Sequence, residues 1–351
     1  MRSTHHLILA SLAVLAILIL LLWWSPGQRD SEGPSGPLLV WCASGIQAPV
    51  EAAVRAFEKE CGGSVQLQYG GSGTLLANIQ VAGRGDLFIA ADEGYLATAR
   101  SKGLVEEVVP LGLMSPVIAV RKGNPTGIRS LDDLPAGRIS LAQPGAAAIG
   151  DVVRALLLKD GRWEALEKKV RVFKTTVMDV AMDVRLGAVD AGIVWDATVA
   201  QDPALEAVRD PALDPGQQKV AIGVLRSAVR PAAALRLARW LGAPDKGLLE
   251  FARRGYGVVD GDAWAETPEV VFFSGGVNRL AVEDTVRRFE EREGARVTRV
   301  YNGCGIHDGA DTALRSRRTM GVWRDPVFQA PDASIHHRAF RGRGARWTDP
   351  C

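Results

Sequence analysis

The sequence predicts an α/β fold built on parallel sheet, and three observations carry that prediction. Apolar strand-like runs alternate with amphipathic helical stretches along most of the chain. Turns rich in Gly and Ser stand between strand ends and helix starts. The chain also opens the same structure twice. Residues 40–73 read VWCASGIQAPVEAAVRAFEKECGGSVQLQYGGSG, and residues 272–305 read FFSGGVNRLAVEDTVRRFEEREGARVTRVYNGCG, in register without a gap. Val50 matches Val282, Val54 matches Val286, Phe57 matches Phe289, Glu58 matches Glu290, Val65 matches Val297 and Tyr69 matches Tyr301.

Leu38–Trp41 reads as a buried strand. A helix follows over 48–60, because Val50, Val54 and Phe57 recur on one face, and Gly62-Gly63 ends it. Val65–Tyr69 is the next strand, the Gly70–Gly73 turn opens a helix over 74–81, and Asp86–Ala90 is a third strand. Beyond these, Val117–Arg121 and Ile139–Ala142 are short strands, and the turn after Pro144 leads into a helix ending near Lys159. Val170–Phe173 is a strand, Val177–Leu186 a helix, and Asp190–Trp195 a buried strand. The strand–helix pattern returns with Val220–Leu225, Pro231–Leu241 and Lys246–Arg254, and Tyr256-Gly257-Val258 closes the unit. That return after a self-contained middle predicts two lobes joined by two crossing strands. Lobe one holds 38–115 and 226–260, and lobe two holds 118–222.

Of 351 residues, 47% are apolar and 23% charged, which describes a globular core. A net charge of +2 points to no nucleic-acid partner. Residues 7–24 are continuously apolar and, as a helix of ~27 Å, approach the ~30 Å hydrocarbon layer. Segment 1–24 therefore reads as a signal anchor or a cleaved signal peptide. The Trp23-Trp24 pair suits an interfacial anchor, and Ser25-Pro26 makes a poor cleavage site. Either reading places the globular part on the periplasmic side of the cytoplasmic membrane, with 25–37 as a flexible linker. Cys42 and Cys61 flank the first helix, roughly 20 Å apart, so they are not expected to form a disulfide. Cys42 reads as a small buried apolar residue.

Ser44, Ser72 and Ala148 each stand between a strand end and a helix start. There the first helical N–H groups lack intrahelical partners and carry partial positive charge. Several such starts converging at the carboxyl ends of strands form an anion site without Lys or Arg, and Ser hydroxyls add donors. Taken singly, each Ser reads first as a helix N-cap or turn residue, and it is their joint pattern that points to a site.

With these turns, residues 37–260 resemble the molybdate-binding periplasmic proteins of ABC importers, which have the two-lobed type II periplasmic-binding-protein fold. The stretches carrying the resemblance are Ala43-Ser44, GGSGTLLANI (70–79), GDLFIAADEGYLATARSKGLV (85–105), DVRLGAVDAGIVW (183–195) and LLEFARRGYGVV (248–259). The resemblance implies a hinge of two crossing strands and an oxyanion, molybdate or tungstate, held by neutral donors. Ser44 and Ser72 would each give hydroxyl and amide, and Ala148 and Val177 backbone amides. Where the family has a Tyr, this chain has Trp195, whose single N–H is bulkier and displaced, which bears on selectivity among oxyanions. Asp196 beside it is read as capping the next turn. The implied partners are an ABC permease and its ATPase, for a monomer with no cofactor and no metal except within the oxyanion.

An enzyme is not expected. Residues 38–260 contain no His, so neither Ser has a base for acyl transfer, and clustered metal ligands are lacking. The competing reading is a membrane-anchored binding or scaffold module of the same fold that no longer serves transport. Residues 270–305 read as a truncated second repeat in which Gly276 and Cys304 replace both Ser donors. Residues 306–351 carry eight Arg and no Lys without any period. They read as a disordered tail of the kind a GC-rich gene gives out of frame, with a basic interaction tail as the alternative.

Overall fold

The computed structural model describes residues 36–302; the apolar segment 7–24, the linker before Gly36 and the tail beyond 302 lie outside the described residues. Two five-stranded sheets carry the fold. The first has the order β2-β1-β3-β10-β4 and the second β7-β6-β8-β5-β9. In the first, β1 (Leu38–Ala43) pairs in parallel with β2 (Val65–Gly70) and β3 (Leu87–Ala90), and β10 (Gln218–Leu225) runs antiparallel between β3 and β4 (Val105–Met114). In the second, β6 (Ile139–Ala142) lies parallel to β7 (Val170–Lys174) and β8 (Ala191–Trp195). There β5 (Pro116–Arg121) runs antiparallel to β8 and β9 (Leu205–Val208).

The central strands are apolar on both faces because helices cover both. Val40 and Cys42 of β1 and Leu87, Phe88 and Ile89 of β3 are wholly buried. α1 (Gln47–Cys61) buries Val50, Ala53, Val54 and Phe57, and Phe57 meets Trp240 of α8 (Pro231–Leu241) edge to face at 5.6 Å. The helix ends where Gly62 adopts φ +72°, a conformation that favours Gly. Cys42 and Cys61 are both free thiols, and burial pushes the Cys42 thiol well above its ordinary pKa.

The chain crosses between sheets twice, at Ser115 and over 209–217. The second crossing corrects the lobe boundary expected from sequence. Residues 218–222 belong to the first sheet, because Val220, Ile222 and Val224 are buried against β3 and β4. The break falls in the polar stretch around Asp210–Gln217 that precedes the apolar run. Sequence reasoning also passed over β4, whose apolar run is interrupted by Glu106, Glu107 and Pro110. An edge strand tolerates Pro, and the register slips near it, between Val220 and Ala221.

After Tyr256 the chain returns along lobe one. Trp264 stacks edge to face on Trp240 at 5.0 Å. Next come β11 (Glu269–Gly275), α10 (Arg279–Glu293) and β12 (Arg296–Asn302), with β11 and β12 forming a separate two-stranded parallel sheet. This unit docks on lobe one: Arg239 Nη2 donates to the Glu293 carbonyl at 2.8 Å, and the Arg292 guanidinium bonds Glu106 and Glu107 of β4. Among the described residues no helix is long and apolar enough to cross a membrane.

Candidate functional site

Each sequence-predicted donor other than Trp195 stands at the first residue of a helix. Ser44 opens a 3-10 turn after β1, and Ser72 opens α2 (Ser72–Ala82). From lobe two, Ala148 opens α4 (Ala148–Lys159) and Val177 opens α6 (Val177–Arg185). All four residues are buried.

Close backbone approach shows that the two lobes bring these starts together. A Cβ placed on Gly45, next to Ser44, would lie 2.8 Å from Val177 Cγ1 and 3.3 Å from Trp195 Cδ1. One on Gly71, next to Ser72, would lie 2.2 Å from the Ala146 carbonyl and 2.5 Å from the Thr175 carbonyl. Only glycine permits such contact, so the Gly-rich turns are needed because the opposite lobe closes on them. Gly73 and Thr74 donate to the Ala146 carbonyl at 3.0 and 3.2 Å, which ties lobe two to the first turn of α2.

The Ser hydroxyls differ. Ser72 Oγ accepts from Ala91 N–H at 3.2 Å, which fixes its rotamer and leaves its proton free to donate. Ser44 Oγ has no hydrogen-bond partner among the described residues, although the residue is only 9% exposed. Trp195, 1% exposed, packs on Gly45. Asp196 turns away from these donors. Its Oδ1 accepts from Ser115 N–H at 2.9 Å and Ala197 N–H at 2.8 Å, so it ties the end of β8 to the first crossing.

Tyr256 is a site-building residue that sequence reasoning did not single out. Its buried hydroxyl donates to the Gly45 carbonyl at 2.6 Å and holds the Ser44 turn from behind. Burial pushes its phenol well above the usual range, so it stays a donor. The signal was present in the RGYGVV block, read only as a closing turn. Among the described residues no group of three or more His, Cys, Asp or Glu could hold a metal ion.

Residues 38–256 match the family described as "Bacterial extracellular solute-binding protein", and the chain belongs to that family. A Haemophilus influenzae protein named "Putative binding protein" is 30% identical over 223 residues, covering 62% of this chain and 90% of that protein. The Escherichia coli molybdate-binding protein ModA is 26% identical over 146 residues, 38% of this chain and 56% of ModA. The periplasmic molybdate-binding protein of Azotobacter vinelandii superposes with a TM-score of 0.55 at 18% identity, covering 64% of this chain and all of that structure. The fold is thus that of the two-lobed type II periplasmic binding proteins.

Proposed function

We propose that this solute-binding protein captures a tetrahedral oxyanion, molybdate or tungstate, on the outer side of the cytoplasmic membrane and delivers it to an ABC permease and its ATPase. The observation that carries this reading is the close approach, from both lobes, of the turns that bear the four helix starts Ser44, Ser72, Ala148 and Val177. Helix N-termini favour negative charge, and neutral donors suit a small anion that must later be released. The Ser44 hydroxyl and the Trp195 N–H are the two further donors in this reading, Trp195 lying against Gly45 beside Ser44. Likeness in sequence to the Escherichia coli molybdate-binding protein supports the choice of anion. The reading assigns no catalytic residue.

The test is a thermal-shift panel of molybdate, tungstate, sulfate and phosphate on the purified chain, followed by calorimetry on Ser44→Ala and Ser72→Ala. Binding to the folded state alone raises its stability by ~2.7 kcal/mol at a hundred times Kd. Unchanged molybdate affinity in both variants would rule out this site. A second reading, a module of the same fold that no longer serves transport, is favoured by the bulk of Trp195 against Gly45; it expects no shift with any of the four anions. We further infer that 270–305 opens a truncated second repeat, supported over the described residues 269–302 by elements and hydrogen bonds that match the first opening.

A further inference from the structure

The cleft closes through a set of hydrogen bonds that includes none of the proposed donor side chains. Tyr95 lies on α3 (Glu93–Ser101) of lobe one, and Asp151 lies in the first turn of α4 in lobe two. The Tyr95 hydroxyl donates to Asp151 Oδ2 across the cleft. Asp151 Oδ1 accepts from Gly145 N–H at 2.8 Å. Gly145 holds φ +83°, and the Ala146 carbonyl that follows takes the N–H groups of Gly73 and Thr74. A Cβ on Gly73 would lie 2.0 Å from the Gly145 carbonyl and 2.9 Å from Tyr95 Oη, so the three groups meet at one point.

We propose that Tyr95, Asp151 and the Gly145–Ala146 turn form a latch between the lobes that sets how long a captured anion is held. The ligand in this statement rests on the oxyanion reading; the latch itself is read from the contacts between lobes. Separating the lobes breaks the Tyr95–Asp151 bond and the two bonds to the Ala146 carbonyl. Asp151's bond to Gly145 lies within lobe two and keeps the turn shaped while the cleft is open. Ala148, two residues beyond Ala146, is thereby brought to the site in register with Ser72. The Asp151 carboxylate also sits on the first turn of α4, where negative charge is favoured. Burial and the bond to Asp151 raise the Tyr95 phenol, so it remains protonated and able to donate. Tyr95 and Asp151 are positioning residues, since neither is a proposed ligand donor.

Hydrogen exchange on the full chain tests the latch directly, because the Gly73 and Thr74 amides are protected only while they reach across to Ala146. In the ligand-free protein, Tyr95→Phe should speed exchange at these amides by about tenfold, the effect of losing one charge-assisted hydrogen bond, and Asp151→Ala, which also removes the acceptor of Gly145 N–H, by at least as much. Exchange in β1 and β6 should stay at the wild-type rate. Asp151→Asn, which keeps an acceptor for Tyr95, should restore much of the protection. With molybdate present, Tyr95→Phe should raise the dissociation rate about tenfold and leave association nearly unchanged. Wild-type exchange at Gly73 and Thr74 in both Tyr95→Phe and Asp151→Ala would overturn the latch. Should molybdate, tungstate, sulfate and phosphate all fail to slow exchange in the wild type, the oxyanion reading falls, while the ligand-free comparison still decides the latch.

Discussion

β1, α1 and β2 at the start of lobe one, and β11, α10 and β12 at the end of the described residues, are built alike yet are placed in different surroundings. In both units a carboxylate on the helix accepts from a Val N–H at the start of the second strand: Val65 to Glu58 at 2.8 Å and Val297 to Glu290 at 2.7 Å. In both, the Tyr of the second strand donates to a Glu on the helix, Tyr69 to Glu51 and Tyr301 to Glu283, each at 2.9 Å. The first unit has β3 beside β1 and lobe two above its turns. The second is a two-stranded sheet in which Val270 and Val271 stay exposed. The difference teaches that a βαβ sequence builds its own hydrogen bonds locally, whereas a binding site also needs the lobe that closes over it. Position 277, which matches Gly45, shows this: Val277 stands exposed there, while a Cβ on Gly45 would strike Val177.

The strongest way to break the comparison is to stop lobe two from reaching the first unit. Gly73→Ala places a methyl group 2.0 Å from the Gly145 carbonyl and should abolish measurable molybdate binding in calorimetry. Lobe one itself should hold, since Ala is the better helix former. Retained binding would show that the closed arrangement is not the binding state. Next comes removal of one donor. Ser72→Ala and Ser44→Ala should each weaken molybdate binding by about 1–3 kcal/mol, read as Kd in the same titrations.

A smaller effect should come from the docking of the second unit. Arg292→Ala leaves the mostly buried Glu107 carboxylate without that partner, and should lower stability to chemical denaturation by about 1–2 kcal/mol while leaving molybdate Kd unchanged. A change in Kd would show that the second unit communicates with the cleft. The smallest effect is expected from Gly276→Ser, which returns a hydroxyl to the position matching Ser44. Because no second lobe stands over it among the described residues, stoichiometry should stay at one anion per chain; a second equivalent would overturn the contrast drawn between the units.

Much of this arrangement was legible in the residues. Ile139–Ala142 and Pro231–Leu241 appear with the bounds their patterning indicates, because short buried runs and a Pro at a helix start are strong local signals. The helix starts at Ser44, Ser72 and Ala148 were legible because each sits at a change from strand to helix period; their use as donors, with Val177, is the proposal made above. β4 was not, since Glu106, Glu107 and Pro110 hide an edge strand whose partner lies more than a hundred residues away. Tyr95, Asp151 and Tyr256 were also missed as partners. Their contacts join positions that no local period relates, so only the folded chain shows which tyrosine meets which turn.

The bond from Tyr256 to the Gly45 carbonyl spans 211 positions of sequence. The turn that bears Ser44 is among the first pieces of the folded unit to be synthesised, and the group that braces it is among the last. At about 5–20 residues per second, ten seconds or more separate them on the ribosome. Contacts this distant in sequence also form slowly once the chain is free. Until residue 256 has emerged and the closing turn has docked, the Ser44 turn lacks its brace, so the nascent chain should pass through synthesis with its binding cleft unassembled.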